Sequence, residues 1–136
     1  MASFVYNSVL TDLVNGDLDF AVDSFKLLLV GVGYTASKDG HDRRNDVSSE
    51  ISGTGYTAGG NATTCTITND TNKKILTFSS VSWPSATFTT AGGVIYKARG
   101  GASSADELVA YLDFSGEVVS TGGTFSVSTS VITLSN

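Results

Sequence analysis

An all-β fold is predicted for this 136-residue chain, a jelly-roll-like sandwich of about eight short strands. Three observations predict it. Ser, Thr, Gly, Val and aromatic residues dominate, and runs of Ala, Leu, Glu and Lys that would build helices are absent. Apolar and polar residues alternate with period two in several segments. Turn-forming clusters recur at intervals near ten residues. With 40% hydrophobic and only 15% charged residues, the chain has the balance of a packed domain rather than a disordered one. Its length suits one domain, residues 1–136, with no linker or repeat to divide it.

The elements follow in order. Val9, Leu10, Leu13 and Val14 recur at one-turn spacing between Ser8 and Asn15-Gly16. That predicts a short helix of two turns, and residues 1–14 are expected to form this helix or an N-terminal arm. Leu18, Phe20 and Val22 alternate with Asp17, Asp19, Ala21 and Asp23, which predicts a half-exposed strand. Residues 25–35 hold a continuous apolar run and predict a central strand buried on both faces. Residues 37–46 are the most polar stretch and predict a solvated loop. Residues 47–51 predict a short edge strand, and the Gly-rich segment 52–60 a connection made of turns. Thr63, Cys65 and Ile67 alternate with Thr64, Thr66 and Thr68, and Asn69-Asp70-Thr71-Asn72 turns the chain into a returning strand. Pro84 is expected to end that strand, because proline donates no ladder hydrogen bond. Four further pieces are predicted at 87–90, 93–98, 108–114 and 124–134, with Ala91-Gly92 and Ser120-Thr121-Gly122-Gly123 as breaks.

Composition narrows the function. The formal net charge is −5, which disfavours binding to phosphate backbones, so no direct nucleic-acid partner is expected. Arg43-Arg44 is the one basic pair, and Asp39, Asp42 and Asp46 are expected to neutralise it locally. The longest apolar run, Leu27-Leu28-Leu29-Val30, is far too short to span a bilayer, and no membrane partner is expected. The first residues lack the pattern of a signal peptide. Cys65 is the single cysteine, so no internal disulfide forms.

No constellation for catalysis stands out. His41 is the only histidine, and a metal site or a Ser-His-Asp site needs more than one histidine in a polar loop. Asp12, Asp17, Asp19 and Asp23 lack the spacing of a calcium loop. Gly53, Gly55 and Gly59 match neither a dinucleotide fingerprint nor a P-loop. Glu50, Glu107 and Glu117 are scattered. Tyr34, Tyr56, Trp83, Tyr96 and Tyr111 are read as core rather than as a sugar platform. The expectation is a protein that is not an enzyme, with no catalytic, cofactor or metal residues.

Several stretches taken together resemble small virion structural proteins of tailed bacteriophages. They are Phe4-Val5-Tyr6-Asn7, Asp12-Leu13-Val14-Asn15-Gly16, Lys26-Leu27-Leu28-Leu29-Val30 with Tyr34-Thr35, and Lys38-Asp39 with His41-Asp42. Next come Glu50-Ile51-Ser52-Gly53-Thr54-Gly55-Tyr56-Thr57-Ala58-Gly59-Gly60 and Val81-Ser82-Trp83. The set closes with Gly93-Val94-Ile95-Tyr96-Lys97, Leu108-Val109-Ala110-Tyr111-Leu112-Asp113-Phe114, Gly122-Gly123-Thr124-Phe125 and Ile132-Thr133-Leu134. The ordered set covers nearly the whole chain. It departs from the group's pattern at Arg43-Arg44, where a more apolar stretch is common, and in a C-terminal part richer in Ser and Thr. The resemblance implies a capsid cement or decoration protein on the virion surface, made in the host bacterial cytoplasm. Its partners would be the phage major capsid protein and itself, as a homodimer in preference, with a trimer as the alternative. The alternatives are a tail or fibre component and a virion carbohydrate-binding module.

Overall fold

The computed structural model describes residues 2–136; Met1, with which the predicted arm begins, lies outside the described residues. Strands run over Phe4–Val5 (β1), Phe25–Val30 (β2), Asn61–Thr63 (β3), Cys65–Asp70 (β4), Lys73–Phe78 (β5), Val81–Lys97 (β6), Leu108–Val127 (β7) and Ser130–Ser135 (β8). One helix, α1, spans Ser8–Asn15. Two antiparallel sheets result, of strand order β1-β7-β6-β2-β3 and β4-β5-β8. This is the all-β sandwich that the composition predicts, with eight strands.

Between the sheets lies the larger core, built on Phe25, Leu27, Leu29, Leu76, Phe78, Trp83 and Ile95. The rings of Phe20, Phe25 and Phe78 meet stacked or edge-on at centroid distances of 5.5–6.3 Å. A second core, with Tyr6, Leu28, Val30, Tyr34, Val94 and Tyr111, covers the opposite face of the five-stranded sheet. The segment after β2 supplies its lid through Tyr34, Ala36 and Val47. Successive residues of β2 therefore point into different cores, and Leu27 to Val30 are all at most 2% exposed. That explains the continuous apolar run, since a strand buried on both faces has no polar side to alternate with.

β6 and β7 form one long antiparallel ladder from Tyr96↔Leu108 to Val81↔Val127. Sequence reading divides each into two strands, because the interruptions look like turns. They are bulges instead. Three extra residues of β7 intrude between the pairs Gly92↔Asp113 and Thr90↔Val118, with Ser115 and Gly116 at φ of 61° and 125°. Gly122 is extra on β7 between Thr87↔Thr121 and Ala86↔Gly123, at φ 72°. Pro84 does not end its strand, for it sits in a further irregularity between Trp83 and Ala86, where no ladder donor is required.

Three other expectations are corrected. Residues 17–24 form turns, not a strand. Asp19 O accepts from Val22 N and Asp23 N, while Asp19 Oδ1 accepts from Ala21 N and Asp23 Oδ2 from Asp19 N. The aspartate side chains thus compete for the backbone and win it from a ladder. Residues 47–51 make only the single bridge Val30↔Glu50. β2 stops at Val30, short of residue 35, where Gly31 N turns to Ser49 O. The helix is as expected at its C-terminus, which Gly16 closes in the left-handed conformation at φ 81°. Its N-terminus differs: Asn7 stands at the cap position, with no side-chain cap.

Candidate functional site

The ionisable groups gather at one end of the sandwich, called basal here, which holds α1 and the loops before and after β2 and between β6 and β7. Arg43 and Arg44 are not neutralised by their neighbours alone, as the sequence suggests. Arg43 donates to both carboxylate oxygens of Asp12, at 3.1 and 3.2 Å, across 31 residues. Arg44 Nε donates to Asp106 Oδ2 at 2.8 Å, and its guanidinium lies 5.1 Å above the centre of the Tyr96 ring. Asp106 Oδ1 accepts from the backbone N–H of Arg99, whose guanidinium grips Glu107 at 2.9 and 2.5 Å. Lys97 bridges Asp23 at 3.1 Å and the carbonyl of Asp17 at 2.7 Å.

The carboxylates of Asp12, Asp106 and Glu107 are buried, and their partners explain how that burial is tolerated. Burial pushes the Asp12 carboxyl above its ordinary range, and Arg43 offsets only part of that rise. For Glu107, burial acts upward too, yet the Arg99 hydrogen bond holds the group below the usual carboxylate range. Asp46 is held low by the backbone N–H groups of Asp42 and Arg43, against the opposing effect of its burial.

His41 is not a solvated loop residue. Its Nδ1 accepts from the Tyr34 hydroxyl at 2.9 Å and from Ser37 N at 3.3 Å, and its ring stacks on Tyr34. Tyr34 meets Tyr6 at 2.8 Å, closing a Tyr6–Tyr34–His41 chain. Burial raises both phenols, so they stay protonated at neutral pH. With Nδ1 accepting, a neutral imidazole carries its proton on Nε2. The chain of rings latches the segment after β2 onto the second core.

Around Asn7, Ser8, Asp12, Asp39, Asp42 and Arg43 lies a groove of about 340 Å³. Within it Arg43 holds Asp12 and Asn7 donates to Asp39, while the buried Ser8 hydroxyl has no hydrogen-bond partner among the described residues. Among the described residues, no three His, Cys, Asp or Glu side chains converge as metal ligands. Glu50 accepts from the Tyr56 hydroxyl at 2.7 Å and from Gly59 N at 2.6 Å, which fastens the Gly-rich loop. Glu117 lies on β7, far along the chain from either. Burial raises the Cys65 thiol, which reduces its thiolate fraction.

The aromatic residues are core, as the sequence suggests. Trp83 is 1% exposed, with Tyr56 stacked on it and Phe125 tilted against it. Tyr34, Tyr96 and Tyr111 are buried too. Tyr96 donates to Gly59 O at 2.7 Å, and burial pushes its hydroxyl up to about 12.

Three long stretches of the chain are different. Residues 51–69, 75–96 and 118–136 contain no charged side chain. The Gly-rich loop turns as expected, with Tyr56 N donating to Gly53 O and Gly60 N to Thr57 O, and it straps the outer edge of β6. Thr87 N donates to Thr54 O at 2.9 Å, and a Cβ at Gly53 would stand 2.6 Å from Thr87 O. At Gly60 (φ 76°) a Cβ would meet Leu27 O at 1.8 Å. Other edges stay open in the described strands, among them those of β4 and β8, which each pair only with β5, and that of β7, which β1 covers only at Ala110 and Tyr111. The outer face of the smaller sheet carries Thr66, Thr77 and Val131 in one cross-strand row and Thr68, Ile75 and Thr133 in the next. Sequence alternation at residues 63–68 reveals half of this face. The open edges have no signature in the sequence, because they depend on which strands end up as neighbours. No family model, curated protein or solved structure matches this chain.

Proposed function

We propose that this chain is a virion structural protein of a tailed phage, without enzymatic activity, that binds the outside of the expanded capsid. There it cements neighbouring major capsid protein subunits. The observation that carries the reading is the set of open strand edges, next to long stretches of strand without charge. Unpaired N–H and C=O groups on an edge strand accept a strand from a neighbour, and an uncharged surface is desolvated at low cost. The resemblance of the sequence pieces to small virion proteins names the neighbour. The basal ion pairs support the same reading, since Arg43, Arg44 and Arg99 find their carboxylates within the chain and hold a rigid body.

A cement protein acts through linkage. Binding the expanded shell and not its precursor stabilises the expanded state by about 2.7 kcal/mol per site at a hundredfold excess over Kd. Repeated over every site of a shell, that resists internal pressure without any reactive group. The β4 and β8 edges and the Thr-rich face are the contacts proposed for the shell.

Quantitative densitometry of purified virions tests the reading. A cement protein is present in hundreds of copies. A handful of copies assigns the chain to the tail or a fibre instead, and absence from the particle overturns a virion role altogether.

A further inference from the structure

The outer edge of β7 is the longest open edge of the fold. Beyond Tyr111 the N-terminal segment follows it only as far as Asp113, whose N–H donates to the Ser3 hydroxyl at 2.8 Å. From Phe114 to Val127 no described strand pairs with it. Natural edges are blunted by lysine, proline or bulges. Residues 118–127 hold no charge and no proline. The bulges do shape the edge, and they define where a partner fits. Between Ser115-Gly116 and Gly122, all at positive φ, lies the extended stretch Glu117-Val118-Val119-Ser120-Thr121, of which Val118 to Thr121 pair in regular register with Thr90 to Thr87. Its midpoint is Val119, which is 67% exposed.

A five-residue stretch so bounded matches itself in one antiparallel register. In that register Val119 faces Val119 of the other copy, Val118 faces Ser120, and Glu117 faces Thr121. The β-branched pair at the centre is favourable, and a threonine hydroxyl donates to each glutamate. The two Glu117 residues stand at opposite ends, about 13 Å apart at 3.3 Å per residue. That exceeds the Debye length of about 8 Å at physiological salt, so their repulsion is screened. An isologous contact requires this self-complementarity.

We propose that two copies of this chain pair antiparallel through residues 117–121 of β7, with a two-fold axis at Val119, joining their five-stranded sheets into one. The contact deepens the assembly reading and rests on it for its purpose, but it forms between isolated chains. It leaves β4, β8 and the Thr-rich face free for the shell. A strand pair this short is small for a protein interface, so the dimer dissociates with Kd on the order of 10 µM, and crowding on a shell saturates it.

Sedimentation equilibrium of the purified chain from about 1 to 500 µM, a range bracketing that Kd, tests the proposal. The wild type dimerises, Val119→Lys weakens the dimer at least tenfold with an unchanged circular dichroism spectrum, and Val131→Lys on the other sheet leaves it intact. In a Cys65→Ser background, Val119→Cys gives a covalent dimer on mild oxidation, a readout that does not depend on the lysine variant folding. A wild type monomeric at the highest concentration overturns the proposal, as does a dimer that survives Val119→Lys, or a Val119→Cys chain that does not cross-link. A monomeric chain that still sediments with expanded shells sinks this contact and leaves the cement reading standing. A dimer that ignores shells does the reverse.

Discussion

At the basal end all three arginines meet carboxylates from distant segments: Arg43 with Asp12, Arg44 with Asp106, Arg99 with Glu107. At the far end, the facing stretches of β6 and β7 from residues 81–90 and 118–127 carry no charge at all. The basal groups are closed upon themselves. Their carboxylates are buried and answered, and little remains to recruit a partner. The far end closes its interior with Trp83, Phe88 and Phe125 but leaves backbone edges unanswered. Chemistry-bearing residues thus mark the end that holds the fold together. The residues that look inert mark the strands whose backbone edges stay open, the surface proposed for assembly.

The contrast breaks most readily at Trp83, where the far end's interior depends on one large side chain. Trp83→Ala costs about 4 kcal/mol through lost burial and the cavity left behind. Urea denaturation should show that loss, and a change under 1 kcal/mol would mean the far end is not a packed core. At the basal end, Arg43→Ala leaves the Asp12 carboxylate buried without its partner and costs about 3 kcal/mol. The same denaturation curve checks it, with Asp12→Asn in the Arg43→Ala background recovering part of the loss. Thr90 joins the two halves: buried, it donates to Val30 O at 2.9 Å. Thr90→Val removes that buried hydrogen bond, for about 1–2 kcal/mol.

The smallest effect is electrostatic and sharpens the sign of the basal contribution. Burial acts to raise Glu107, but Arg99 outweighs it and holds the folded group below its ordinary range. A carboxyl depressed in the fold stabilises it above the unfolded pKa, about 4.3 for glutamate, and loses that contribution as pH falls through the folded value. Asp46 acts in the same sense, while Asp12, raised by burial, contributes at low pH and loses its share as pH rises through its folded value. Denaturation midpoints between pH 2 and 7, bracketing these carboxylates, should fall less steeply on the acid side for Glu107→Gln than for the wild type. Equal slopes would mean that the Arg99 pair adds nothing.

Strand content, the sandwich and the short helix were legible in period and composition, because each depends on local spacing. Pro84, Ala91-Gly92 and Ser120-Thr121-Gly122-Gly123 misled because a bulge and a turn draw on the same residues; only the partner strand separates them. The acid-alternating segment 17–23 has strand periodicity, yet its aspartates hydrogen-bond the local backbone first. The Arg43–Asp12 and Arg44–Asp106 pairs span 31 and 62 residues, beyond the reach of charge patterning. His41 looked solvated because its partner, Tyr34, sits beyond a turn whose geometry the sequence does not display.

Amide hydrogen exchange on the chain alone and mixed with expanded tailed-phage shells tests the proposed assembly role most directly. Protection should be gained on binding within residues 64–69, 114–127 and 130–136, and the loops at 37–46 and 98–107 should exchange as they do in the free chain. Protection centred on those two loops, with the three strand stretches unchanged, would contradict the claim that assembly belongs to the uncharged end.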